Sequence, residues 1–265
     1  MVQLARDRAL AQPEILALVL SHLDMRTLLL AQRVSVLWRE IVTKWSHLQQ
    51  ALFLKPAVAL SDHELTMERQ RNPLLAQYFP RFFLENTKNP DGYNVIRALT
   101  TANLDDFIKA PELRTLEPFL RHEASWRRML VQQPAAYRFG YTQVKGRCEK
   151  AYYNAMLEEP EGVRMGALYD LVYSDMGCKK TRCCYSVYWR EPDYDPPIYE
   201  PSPQHGDVQE SLRAYERDVA IVIFSEIWQG RRATKESELY KEYLSKGWSP
   251  RDIPLKFIFQ QCWFG

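Results

Sequence analysis

Between Pro13 and Leu48 apolar side chains recur at intervals of three and four residues. Ile15, Leu16, Val19, Leu20 and Leu23 form one run. Leu28, Leu29 and Ala31 form a second, and Trp38, Ile41, Val42, Trp45 and Leu48 a third. This spacing predicts three short amphipathic helices, each with a wide apolar stripe. The polar residues between the runs supply the punctuation. Pro13 suits the first helical position, where its missing N–H is not needed. Asp24 and Ser35 suit the caps of the second and third helices, because their side-chain oxygens can accept the orphan N–H groups there. Arg26, Gln32 and Arg33 fall on the solvent side of the second helix. Three helices this short bury too small a fraction of their area to hide all of that apolar surface among themselves. Either the following domain or a partner must cover the excess.

After Leu54 the pattern changes. Lys55-Pro56 marks a boundary, and residues 57 to 73 mix charges and end in Asn72-Pro73, the pattern of a linker with one helical turn. Leu74, Leu75, Tyr78, Phe79, Phe82, Phe83 and Leu84 read as a core segment, since Phe is most often buried. Asn89-Pro90-Asp91-Gly92 is a turn signal. Residues 103 to 110 predict a short helix and Leu116 to Val131 a longer one, with Trp126, Met129 and Leu130 inward and Arg121, Arg127 and Arg128 outward. Ala51 to Leu54 suits a strand or the end of the last helix.

Further along, Gly162 to Tyr173 is helical towards its end, and Glu158-Glu159-Pro160-Glu161 is a turn or helix start. Cys183 to Arg190, Val219 to Phe224 and Leu255 to Phe259 have strand composition, and Ala233 to Gly247 has helical spacing. Five prolines and several acidic residues between Glu191 and Asp207 predict a long irregular segment, the best candidate for a recognition loop, with a plain surface insertion fitting equally well. The expected architecture is α+β. A three-helix unit over residues 8–56 is followed by a linker over 57–73 and a mixed helix/strand domain over 74–265. No leucine-rich, WD or kelch period is present.

Composition narrows the function classes. The chain has 265 residues, 46% hydrophobic and 26% charged, which is ordinary for a folded protein. A formal net charge of +2 gives no argument for nucleic acid or an anionic membrane as the principal partner. The start lacks an uninterrupted apolar stretch of the signal-peptide kind, and Val219 to Phe224 is far too short to span a bilayer. Five cysteines, an odd number, fit a reducing compartment better than a disulfide framework. The expectation is an intracellular protein of the cytoplasm or nucleus.

Chemistry-bearing motifs are sparse. Cys178-x4-Cys183-Cys184 invites a metal reading, but the two adjacent cysteines lack the usual C-x2–4-C arrangement and no histidine is near, so no metal is expected. No His is assigned to activate a cysteine nucleophile. G-x-S-x-G, the P-loop, G-x-G-x-x-G and H-E-x-x-H are all missing from the sequence. Arg127 and Arg128 fit an anion contact, and a solvated helix face more simply. Tyr137 to Tyr141 with Lys145 and Arg147 is a faint version of a nucleic-acid surface, which the near-neutral charge opposes. The expectation is a chain with no catalytic residues and no cofactor.

The order of residues in the first stretch adds to its periodicity. P-E-I-L-x-x-V-L-S-H-L-D followed by L-L-L-A-x-x-V-S-x-x-W-R closely resembles an F-box. The match runs through Pro13, Glu14, Ile15, Leu16, Val19, Leu20, Leu23, Asp24, Leu28, Ala31, Val34, Ser35, Trp38 and Arg39. Gln12 departs from it, since the family usually has Leu before the Pro. The segments Ala51 to Pro56 and Ser125 to Pro134 resemble the region C-terminal to the F-box in a large group of filamentous-fungal proteins. The resemblance implies a non-catalytic substrate receptor of an SCF (cullin–RING) ubiquitin ligase. Such a receptor docks to the small adaptor subunit, and through it to cullin, while its C-terminal domain selects a protein substrate. It also implies that Pro13, Ile15, Leu16, Leu20, Leu28, Val34 and Trp38 lie at or directly behind the adaptor interface, some of them serving the small core instead. Two other readings stay open on the residues: an F-box scaffold acting outside proteolysis, and an enzyme with a helical N-terminal cap.

Overall fold

A computed structural model describes residues 12–57, 69–83, 121–145, 150–176, 182–189, 219–228 and 257–263. The chain is mixed α+β, with a helical unit at its start and a five-stranded sheet formed by its later residues. The turn at 89–92, the helices expected at 103–110 and 233–247 and the proline-rich segment 191–207 lie outside the described residues.

Four helices, not three, make the first unit: α1 (Pro13–Ser21), α2 (Met25–Ala31), α3 (Val36–Lys44) and α4 (Ser46–Ala51). The third run of apolar residues is split because Trp45 takes an extended conformation, φ −87° and ψ 114°. Its carbonyl then accepts the N–H groups of Leu48 and Gln49 and starts α4. Gln49 Nε2 reaches back to the carbonyl of Val42 at 2.6 Å, supplying a donor to an acceptor left open near the end of α3. Both expected caps are present. Asp24 Oδ1 accepts from the N–H groups of Arg26 and Thr27, each at 3.0 Å, and Ser35 Oγ accepts from Trp38 N–H at 3.3 Å. Gln12 sits at the cap of α1 without a side-chain cap bond.

Residues 51 to 54 end the last helix instead of forming a strand. Leu54 N–H donates to Gln49 O and Phe53 N–H to Gln50 O, the paired bonds of a Schellman ending. The left-handed residue such an ending needs is Phe53, at φ 56°, where glycine is usual. Phe53 is nonetheless buried, and its carbonyl accepts from Leu130 N–H at 2.6 Å. Burial and a tertiary bond therefore oppose a backbone cost of order 1–2 kcal/mol.

The last part of the expected linker is structured. β1 (Gln70–Arg71) pairs antiparallel with β2 (Gln132–Gln133). Asn72, fully buried, caps α5 (Pro73–Tyr78) through Oδ1, while its Nδ2 donates to Leu130 O. α6 (Pro80–Phe83) follows. The long helix expected over 116–131 is reduced, among the described residues, to α7 (Ser125–Arg128), because Met129 turns extended and leads into β2.

The main sheet has the order β5 (Arg182–Trp189), β6 (Ile221–Trp228), β3 (Arg138–Lys145), β4 (Lys150–Glu158), β7 (Phe257–Trp263). β3 and β4 form an antiparallel pair, β6 runs parallel to β3, and the outer strands pair antiparallel. The tyrosine-rich stretch from 138 to 156 is thus a strand pair, and the three strand segments expected later in the chain are all present. Alternation places Phe139, Tyr141, Ala155, Val187, Trp189, Ile221 and Ile223 in one core with α5, α6 and α8 (Met165–Met176). Thr142, Val144, Asn154 and Val222, at the alternate positions, are buried as well.

Candidate functional site

Leu16, Ala17, Leu20, Leu28, Ala31, Ile41, Val42, Leu48 and Leu52 form the core of the helical unit. Trp38 and Trp45 pack against its edge. Of the residues expected at or directly behind the docking surface, Leu16, Leu20 and Leu28 are the ones that serve the small core: each is fully buried. They hold α1 and α2 in place. The physical reason is helical phase. Positions 16, 17 and 20 point into the unit, and positions 15, 18, 19 and 22, rotated by about 100° per residue, point out.

The remaining outer surface is largely apolar. Ile15, Leu18 and Val19 on α1, Leu30 on α2, and Val34, Val36 and Leu37 around the α2–α3 turn are exposed, Leu18, Val34 and Val36 by more than 60%. Seven of the nine exposed large hydrophobic residues among the described positions thus fall within residues 15–37; the other two, Tyr78 and Tyr137, carry hydroxyl groups. Pro13 is exposed at the start of the same surface. A concentration of this kind marks an interaction surface more often than a solvated one. Core-facing periodicity does not reveal Leu18, Leu30, Val36 and Leu37. For Leu18 the signal is a second apolar stripe, at 15, 18 and 19, beside the one at 16, 17 and 20; for the other three the sequence carries no such signal.

The unit is fastened to the sheet domain at its C-terminal end. Gln133 Nε2 donates to the carbonyls of Gln50 and Lys55 at 3.3 and 3.0 Å, and its Oε1 accepts from Ala57 N–H at 2.7 Å. Arg164 reaches the carbonyls of Leu54 and Arg128. Met25, Leu29 and Leu54 pack against both cores. The covering of excess surface is thereby divided: the sheet domain takes Met25, Leu29 and Leu54, and the 15–37 surface stays open.

Arg127 is not on a solvated face. Its guanidinium forms an ion pair with Asp170 of α8 at 2.5 Å, with both side chains less than a tenth exposed. It lies against the rings of Trp126 and Tyr169, 5.1 and 5.8 Å from their centroids. Arg128 is exposed. Among the described residues no group of three His, Cys, Asp or Glu side chains comes together to hold a metal ion, and no helix is long and apolar enough to cross a membrane.

The Asp24 carboxyl is held below the usual carboxylate range, first by the Thr27 hydroxyl and then by the Thr27 N–H, with a smaller contribution from Arg26 N–H. It serves the helix and makes no site. Comparison of the chain with protein-family models, curated proteins and solved structures finds no match in any of the three.

Proposed function

We propose that the helical unit is an F-box-type docking module and the protein a non-catalytic substrate receptor of an SCF ubiquitin ligase. The observation that carries this reading is the open apolar surface of residues 15–37, which coincides with the stretch whose residue order resembles an F-box. Pro13, Ile15, Val34 and the edge of Trp38 remain docking residues, as their order in the sequence implies. Leu18, Val19, Leu30, Val36 and Leu37 join them, and Leu16, Leu20 and Leu28 support them from the core.

The receptor acts by proximity. It holds a target lysine near the ubiquitin-carrying enzyme of the assembly, so its own residues bind and position without forming or breaking a bond. Fastening the docking unit to the sheet domain through Gln133, Leu130 and Arg164 suits that task, because a target bound by the second domain is then kept at a constrained distance from the ligase.

The test is co-purification of the SCF adaptor and cullin with the tagged full-length chain from cells. Wild type is expected to bring down both, and Leu18→Asp with Val34→Asp neither, while the variant keeps its fold. A wild-type chain that recovers no adaptor overturns the reading. Proteins whose abundance rises when the gene is deleted then identify the substrate; an adaptor-bound receptor whose deletion changes no protein's ubiquitination or half-life is a scaffold instead.

A further inference from the structure

Charge on the open surface is distributed unevenly. Asp24 is committed to capping α2, and Glu40 pairs with Lys44 at 3.5 Å. Within residues 12–44 this leaves Glu14 as the carboxylate without a partner among the described residues, against the guanidinium groups of Arg26, Arg33 and Arg39. Arg26, Leu30 and Arg33 follow one another at helical spacing, so all three share one exposed ridge of α2 and its final turn. Arg39 Nε donates to Gln32 O at 3.4 Å, which draws its guanidinium back to the α2–α3 turn. The turn between them carries Val34, Val36 and Leu37. The α1 half of the surface, with Ile15, Leu18 and Val19, holds no arginine.

Elsewhere four arginines of the described residues are engaged, while Arg128 is exposed on α7 away from this surface. Arg127 pairs with Asp170, Arg138 with Glu158 and Arg164 with Glu161, and Arg71 lies over Trp189. The α2–α3 ridge instead presents positive charge beside exposed apolar side chains without a carboxylate within 4.0 Å of Arg26, Arg33 or Arg39 among the described residues. We infer that the partner docking here has an apolar groove bordered on one side by carboxylates. That acidic border meets Arg26, Arg33 and Arg39, while the α1 side docks dry. The inference rests on the docking reading above and adds the chemistry of the partner's surface. Charges at the rim act chiefly on the rate of encounter, and desolvated apolar anchors act on the lifetime of the complex.

The experiment measures association and dissociation rates of the purified full-length chain with the SCF adaptor at low and high salt. Wild-type association is expected to slow as salt rises. Arg26→Glu with Arg33→Glu is expected to slow association at low salt by about tenfold or more and to flatten the salt dependence, with dissociation little changed. Neither side chain makes a bond that the fold needs, so unchanged thermal unfolding accompanies the loss. Leu18→Asp supplies the contrast, since its effect falls mainly on dissociation. Wild-type association that ignores salt, or a double variant that associates as wild type does, overturns the acidic border and leaves the docking reading standing. Absence of wild-type binding overturns both.

Discussion

The helical unit and the sheet domain handle apolar surface in opposite ways. In the sheet domain Phe79, Phe82, Phe83, Phe139, Tyr141, Tyr169 and Trp189 are all interior, and even the guanidinium of Arg127 is enclosed and neutralised by Asp170. The helical unit buries a compact set of leucines and leaves Ile15, Leu18, Val19, Leu30, Val34, Val36 and Leu37 in the open. Its exposed residues have core chemistry, and the sheet domain's most unusual interior residues have surface chemistry. Among the described residues, one region encloses its large apolar side chains and the other leaves a contiguous set of them open. This contrast is what supports placing the proposed docking function in the first fifty-odd residues.

The largest expected effect lies on the sheet-domain side. Asp170→Ala leaves the Arg127 guanidinium enclosed without its counter-charge and is expected to cost about 3–5 kcal/mol in urea unfolding. Replacing both partners together, Arg127→Met with Asp170→Leu, is expected to come out much closer to wild type, because nothing charged remains enclosed. A double variant as damaged as Asp170→Ala would show that the pair does more than neutralise itself.

Leucines only two positions apart sharpen the contrast next. Leu20→Ala removes a fully buried side chain and is expected to cost about 2–5 kcal/mol. Leu18→Ala, on the exposed side of the same helix, is expected to stay within about 0.5 kcal/mol in the isolated protein. Equal losses would mean that the 15–37 surface is covered by the chain itself.

Gly166→Ala tests how tightly α7 lies on α8. A Cβ there would stand 2.8 Å from the Arg127 carbonyl oxygen, backbone that cannot swing away. The expected cost is about 1–3 kcal/mol, read from the same unfolding curves.

The smallest effect is a pH dependence confined to the helical unit. The folded pKa of Asp24 lies below its unfolded value, so its contribution is complete above the unfolded pKa and is lost as pH falls through the folded one. Thermal unfolding of wild type and Asp24→Asn is expected to differ near neutrality and to converge below about pH 4. A gap that persists unchanged in acid would remove the charge from the account of this cap.

Much of this architecture is legible in the residues. Asp24, Ser35 and Pro13 mark helix starts because capping is a local interaction between a side chain and the next few N–H groups. Strand composition at 183–190, 219–224 and 255–259 identifies three of the five main strands. Features set by distant partners are the ones the sequence does not announce. Phe53 occupies a glycine conformation because Leu130 and the core hold it there. Arg127 looks like half of a solvated Arg-Arg pair because its counter-charge is 43 positions away. Arg71 and Gln132 become strands only by meeting each other. The open apolar surface is half legible for a related reason. Periodicity finds an apolar stripe, but tertiary packing decides which side of a wide stripe is inside. That decision moves Leu16, Leu20 and Leu28 inward and brings Leu18 and Leu30 into view.

The partner of the open surface is the central claim, and titration of the purified SCF adaptor into the full-length chain tests it most directly. Wild type is expected to form a stable complex. Leu18→Asp and Val34→Asp, both folded as judged by unchanged thermal unfolding, are each expected to weaken it by about thirtyfold or more, the loss of a central anchor worth about 2 kcal/mol. A wild-type chain that does not bind, or folded variants that bind as tightly as wild type, would contradict the assignment of residues 15–37 as the docking surface.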